Sequence, residues 1–192
     1  MFLISILFYS YIICILAFVI GYDKIKEFKK TSSSEKTAFS IIIPFRNEAE
    51  NLPQISKSIS LLNYPKKLVE FIFVDDDSTD NSVEIINSHF ECSREILSLD
   101  SPRPDICVLK NIRTSNSPKK DAITTALKNS KNNWIITTDA DCLLPKMWLK
   151  TIDAFIQHNN CNMIVAPVSY VVNSTFLHQF QKLDFMSLQR SE

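Results

Sequence analysis

The chain has 192 residues, 45% of them hydrophobic and 22% charged. These values are close to globular averages and exclude wholesale disorder. Basic and acidic residues number 21 each, so no general polyanion-binding surface is expected and nucleic acid is not an expected partner. The single glycine is Gly21, which excludes Walker loops and the Gly-rich dinucleotide fingerprint. Any nucleotide must be held without a glycine cradle. The five cysteines are odd in number and lack Cys-x-x-Cys spacing. They read as small apolar fillers in a reducing compartment rather than as a disulfide or zinc framework.

The run from Phe2 to Tyr22 contains no Asp, Glu, Lys or Arg. As a helix it would extend about 31 Å, matching a hydrocarbon core near 30 Å. It lacks the basic start and small-residue exit of a cleaved signal peptide. Residues 1–23 are therefore expected to form an uncleaved, single-pass membrane anchor. Lys24, Lys26, Lys29 and Lys30 follow it, and the positive-inside rule places the remainder at the cytoplasmic face. Residues 24–37 read as a basic, Ser-rich linker, and residues 38–192 as one domain.

FSIIIP (Phe39 to Pro44) reads as a buried strand. Asn47 to Leu62 follows with Leu52, Ile55, Ile59 and Leu62 at helical spacing. Val69 to Asp77 is the next expected strand. Ser78 to Phe90 is a helix presenting Val83, Ile86 and Phe90, capped by Ser78 or Thr79, with Asp77 and Asp80 as further capping acids. Short strands are expected around Ile96 to Leu99 and Ile106 to Leu109. Asp121 to Ser130 is a helix with Ala122, Ala126 and Leu127 inward. NWIITTDAD supplies a strand up to Asp141, and Pro145 to His158 a helix with Trp148, Ile152 and Phe155 inward. Asn162 to Val172 reads as strand, and the tail as a helix carrying Phe176, Phe180, Leu183 and Met186. This alternation predicts an α/β class fold, a mostly parallel sheet flanked by helices.

Ligands of such sheets sit beyond the carboxyl ends of the strands, and there this sequence is polar. One strand ends in Arg46, Asn47 and Glu48, the next in Asp75, Asp76 and Asp77, a third in Asp139 and Asp141. Residues two apart on a strand share a side, so Asp139 and Asp141 are expected to aim at one point. Two such carboxylates repel unless a cation joins them. Hard oxygen ligands select Mg²⁺ or Mn²⁺, which commonly adds substrate phosphates to one or two carboxylates. Lys119 and Lys120 precede a helix whose N-terminus favours anions.

FSIIIPFRNEAENL, FIFVDDDSTDNS, PKKDAITTAL and WIITTDADCLLPKMWL, in this order and spacing, resemble the inverting family-2 glycosyltransferases of GT-A fold. The resemblance runs from Phe39 to the C-terminus. It implies that Pro44, Arg46 and Glu48 line a nucleotide pocket, that Asp76 is similar to the carboxylate that bonds the base, and that Asp75 supports it. It places Lys119 near the nucleotide, although the preceding position, usually glycine, is Pro118. Asp139 and Asp141 match the family's Asp-x-Asp, which faces the ribose and holds the metal, with Asp141 a direct ligand.

The implied activity is transfer of a sugar from a nucleotide-diphosphate sugar to a glycan, lipid or other acceptor at the cytoplasmic membrane face. The family's general-base carboxylate is not found in a matching motif here. Asp153 and Asp184 both fall in helical patterns, so no catalytic base is nominated and the base is expected beyond Glu192. A C-terminally incomplete, donor-binding half without transferase activity is the alternative. A phosphatase or phosphoreceiver reading fails, because the Asp-x-Asp comes late and is followed by Cys142 and Leu143.

Overall fold

In the computed structural model, which describes residues 2–23, 34–96, 105–166 and 168–169, the first β-branched run becomes strand β1 (Phe39–Phe45). It lies at the heart of the sheet, between β2 (Val69–Asp75) and β4 (Trp134–Thr137), with β3 (Asp105–Lys110) outside β2. All three pairings are parallel. Parallel neighbours require crossovers, and helices supply them. The chain passes through α2 (Leu52–Ser60), α3 (Ser82–Ile96) and α4 (Pro118–Leu127), then ends its regular structure in α5 (Trp148–His158).

Alternation along β1 and β2 sorts side chains onto two faces. Phe39, Ile41, Ile43, Phe71 and Phe73 pack with Leu52 and Ile55 of α2, Ile86 of α3 and Leu149 of α5. Ile42, Ile72 and Val74 meet Ala122 and Ala126 of α4 on the other face. Small residues there let α4 lie close to the sheet, while the phenylalanine face needs the bulkier layer. Phe39, Phe71 and Phe73 are fully buried, each contributing roughly 1.5–3 kcal/mol by leaving water.

Two buried carboxylates fasten the amino edge of the sheet. Glu70 accepts bonds from the Ser40 hydroxyl and from the Lys131 amide at 2.6 Å, while Asn132 Nδ2 donates to the Phe39 carbonyl at 3.0 Å. These bonds bring β4 alongside β1. Asp153 of α5 accepts from the amides of Lys36 and Thr37 at 3.3 and 3.2 Å and from the Thr37 hydroxyl at 2.5 Å. Tyr64 donates its hydroxyl to the Thr37 carbonyl at 2.7 Å. The approach to β1 is thus strapped to α5 before the strand begins.

Residues Phe2–Asp23 form helix α1, with apolar residues spread around the axis rather than gathered on one side. Among the described residues no helix is long and apolar enough to cross a membrane, several side chains of α1 lying outside them. The chain divides into two compact units, Met1–His158 and Asn159–Glu192.

Several expected boundaries move. Residues 47–51 form a turn rather than the first turn of α2, and Asn47 stands at φ 54°. Helix α3 starts at Ser82 and includes Ile96, where a strand was expected. Residues 97–99 lie outside the described set. Helix α4 begins at Pro118 and ends at Leu127, whose side chain is exposed rather than inward. Helix α5 begins at Trp148, after a turn from Pro145. Strand β4 stops at Thr137, so Asp139 and Asp141 stand on the turn beyond it and not on the strand. The described part of Asn162 to Val172 is not a strand, with Met163 and Val165 exposed; β-propensity makes no strand without a ladder partner. The tail helix with Phe176 lies outside the described residues. Cys14, Cys107, Cys142 and Cys161 are free, and the exposed Cys14 and Cys107 are not the core fillers expected.

Candidate functional site at the carboxyl edge of the sheet

Parallel registration brings the polar strand ends to one edge: Phe45 lies opposite Asp75, and Asp75 opposite Lys110. The loops after β1 and β2 are sewn together. Asn47 accepts from the Thr79 amide at 2.8 Å, and its own amide donates to Ser78 Oγ at 3.0 Å. The amide of Glu48 donates to Ser82 Oγ at 2.9 Å, and that of Ala49 to Asp80 at 3.2 Å. Asn47 and Asp77 both adopt positive φ, a conformation Asn and Asp tolerate better than most residues and that a glycine-poor chain must assign to them. Asp80 also accepts from the Ser82 amide at 3.1 Å. It therefore caps α3, as expected of it, while Ser78 and Thr79 bond the neighbouring loop instead.

Asp75 accepts from the Ser78 amide at 2.9 Å and turns the chain away from β2. Asp76 is buried and heavily bonded. Arg113 donates to it from Nε and Nη2, each at 2.8 Å, and Asn111 Nδ2 donates at 2.6 Å. Arg46 stands 3.9 Å away. Arg113 above all, then Asn111, holds this carboxyl below the usual carboxylate range against the opposing effect of burial.

Asn111 and Arg113 are absent from the site expected from sequence. They follow β3, a strand end with a polar Asn-x-Arg like the others, and that polarity was the available signal. Asp121, in the first turn of α4, accepts from the amides of Thr114 and Ser115 at 2.9 and 2.8 Å. It thereby holds the loop that carries Arg113.

Lys119 Nζ lies 2.6 Å from Asp139 Oδ1, with both side chains more than half exposed. The start of α4 and the turn after β4 therefore meet. Asp141 is exposed and accepts a thiol contact from Cys142 at 3.7 Å. Burial pushes the Cys142 thiol up. Glu48 accepts from Asn51 Nδ2 at 2.7 Å, so its side chain braces the turn into α2. Pro44 is half-buried within β1 and Arg46 is exposed beyond it. Among the described residues no three metal-binding side chains gather. Two exposed carboxylates on one turn still suit a hard divalent cation that takes its other ligands from phosphate and water.

A parallel α/β sheet with bonded acids and arginines at its carboxyl edge places this chain among the open α/β domains, whose ligands sit at that edge. The chain belongs to glycosyl transferase family 2, whose model matches residues 40–190. It is 24% identical over 127 residues to the poly(ribitol-phosphate) beta-N-acetylglucosaminyltransferase TarS of Staphylococcus aureus, covering 66% of this chain and 20% of that protein. A crystal structure of TarS residues 1–349 in complex with UDP-GlcNAc matches with a TM-score of 0.54, over 69% of this chain and 38% of that one. The undecaprenyl-phosphate 4-deoxy-4-formamido-L-arabinose transferase of Shewanella sediminis is 31% identical over 107 residues, 55% of this chain and 29% of its own length. The mannosyltransferase PcManGT of Pyrobaculum calidifontis, in complex with GDP-Man and Mn²⁺, shares the fold at a TM-score of 0.59 and 19% identity, over 74% of this chain and 39% of that one. The chain thus spans well under half the length of these relatives.

Proposed function

We propose that this chain binds a nucleotide-diphosphate sugar at the carboxyl edge of its sheet and serves transfer of the sugar to an acceptor at the cytoplasmic membrane face. The observation that carries the reading is the ordered set of polar groups there: Arg46, Asp76, Arg113, Lys119, Asp139 and Asp141. An ionised carboxylate offers about four lone-pair positions. Arg113 and Asn111 occupy three on Asp76, which leaves one on Oδ2 for an N–H of a base. Arg46 stands beside that oxygen, and Pro44 shapes the strand end below it. Lys119 supplies positive charge where the diphosphate would lie, beside the N-terminus of α4.

Asp139 and Asp141 would hold Mg²⁺ or Mn²⁺, as Mn²⁺ accompanies GDP-Man in the mannosyltransferase. A cation bound there neutralises charge developing on the leaving diphosphate. With a cation there, Asp139 would give up its bond from Lys119, and the Lys119 ammonium would become available to phosphate. In this reading residues 1–23 anchor the chain, 24–37 link it, and 38–192 form the donor-binding domain. The exposure of Phe8, Tyr11, Ile13 and Ile20 on different sides of α1 supports the anchor, because a helix apolar all round belongs in a core or a bilayer.

Of the two acids considered beyond Asp141, Asp184 lies outside the described residues. Asp153 is strapped to Thr37, far from the carboxyl edge. That observation favours a second reading, a donor-binding unit without transferase activity of its own. Calorimetry with nucleoside diphosphates, with and without Mn²⁺, tests the common core of both. Metal-dependent binding is expected, and equal affinity with and without metal rejects the role given to Asp139 and Asp141. Sugar transfer by the purified chain would then decide between the two.

A further inference from the structure

The amino edge of the sheet carries a feature that donor binding does not use. Leu61, just past α2, is 57% exposed and Met147, just before α5, is 39% exposed. The loop after α2 meets the turn before α5: the Asn63 amide donates to the Lys146 carbonyl at 2.9 Å, and Asn63 Nδ2 reaches Met147 Sδ at 3.6 Å. Lys57 lies one helical turn before Leu61, and Lys66 and Lys67 form the short 3-10 turn beyond it. Lys146 precedes Met147. Neither Lys57–Lys67 nor residues 143–151 contain an acid. The nearby Glu35 is taken up by Lys150 at 2.7 Å. Two exposed apolar side chains thus stand on adjoining segments that also carry Lys57, Lys66, Lys67 and Lys146 and no acid.

The location adds to the chemistry. Tyr64, in the same loop, holds the carbonyl of Thr37, and Gln157 of α5 holds that of Ser34 at 3.1 Å. This lysine-bearing corner therefore adjoins the point where the linker enters the domain. Ten residues separate Asp23 from Ser34, a reach of at most roughly 35 Å. Tethered to an anchored helix, this edge cannot move far from the bilayer.

We propose that the corner formed by Leu61, Met147, Lys57, Lys66, Lys67 and Lys146 docks on anionic phospholipid headgroups, with the two apolar side chains entering the interface. The proposal extends the anchor reading, from which it takes the nearness of this edge to the membrane. Exposed apolar groups on lysine-bearing segments suit the headgroup boundary, where apolar burial and attraction to anionic lipid add. Docking would limit tumbling of the domain on its linker.

The full chain reconstituted in phosphatidylcholine vesicles, and in phosphatidylcholine mixed with phosphatidylglycerol, provides the test. Amide hydrogen exchange over residues 57–67 and 143–151 should slow only in the anionic vesicles. High salt should reverse that protection in the unmodified chain. Lys66→Gln with Lys67→Gln should lower the docked-to-free ratio by roughly 25-fold, about fivefold per lysine, and Leu61→Asp should lower it further. Equal exchange on the two vesicle types overturns the proposal, as does protection by soluble polyglutamate with none by anionic vesicles. Retention on neutral vesicles through a carbonate wash reads the anchor separately. A chain washed off them that is still protected when added to anionic vesicles loses the anchor and keeps the docking surface.

Discussion

The guanidinium of Arg113 grips the carboxylate of Asp76 through two bonds of 2.8 Å, Nε to Oδ1 and Nη2 to Oδ2. The pair joins the ends of two neighbouring strands, since Asp76 follows β2 and Arg113 follows β3. Nη2 also donates to the Asp76 carbonyl at 3.2 Å. The clamp thus sets both the orientation of the carboxylate and the exit of the chain from β2. Arginine suits this position because its planar fork matches a carboxylate in two places, which an ammonium cannot do.

Replacing Arg113 should therefore impair nucleotide binding more than an exposed residue would. Arg113→Ala leaves a buried carboxylate short of two donors, a loss on the order of 1–3 kcal/mol, or about 5- to 150-fold in affinity. Arg113→Lys should recover only a minor part. Calorimetric titration with a nucleoside diphosphate checks this. An affinity unchanged in Arg113→Ala would remove the clamp from the site.

The same pair gives a pH dependence with a definite sign. The folded carboxyl of Asp76 lies below its ordinary value, chiefly because Arg113 bonds its charged form. Its contribution to stability is therefore complete above the unfolded value near 4 and is lost as pH falls through the lower folded value. Urea unfolding of the unmodified chain and of Asp76→Asn should differ most above about pH 5. The two curves should converge in stronger acid.

At the turn after β4 the expected effects separate. Asp141→Ala should abolish the Mn²⁺ dependence of nucleotide binding, having removed a direct ligand. Lys119→Ala should leave that dependence in place while weakening affinity, since its exposed pair with Asp139 is worth at most about 1 kcal/mol in the unbound chain. Titrations with and without metal distinguish the two variants.

Asp153 concerns stability rather than binding. Burial raises its carboxyl, but the bonds from Thr37, Gln157 and Lys36 outweigh that effect and hold it below the usual range. Asp153→Ala strands the donors at the entry to β1 and should cost about 2–3 kcal/mol. That corresponds to a drop of roughly 5–10 °C in Tm. Nucleotide affinity, measured well below the transition, should be unchanged because the residue lies at the opposite edge of the sheet.

The anchor reading predicts that the full chain resists carbonate extraction from membranes and that protease cleaves its domain only from the cytoplasmic side. Release of a shortened, soluble chain would reject it. The motivation is the uncharged run from Phe2 to Tyr22 together with the lysines that follow.

The α/β class and strands β1 and β2 were legible in the chain itself, because their residues are dictated by local chemistry. Phe39 to Phe45 carries three consecutive β-branched isoleucines between phenylalanines, with Ser40 its one polar side chain, and such a run is satisfied inside a sheet. The acids at the strand ends were legible for a related reason: a charge that interrupts a buried run marks where the run leaves the core. Helix starts were read less well, since Asn47, Asp75 and Asp80 use their side chains to hold turns that periodicity does not encode. The strand expected at Asn162 to Val172 failed in its described part because pairing belongs to the partner and not to the segment. Only the tertiary structure could decide which groups face one another across different strands. Asp76 and Arg113 are 37 positions apart, Lys119 and Asp139 are 20 apart, and Asp153 lies more than a hundred from Thr37. No local propensity relates such residues; parallel register and helix packing bring them within bonding distance, and there the candidate site acquires its geometry.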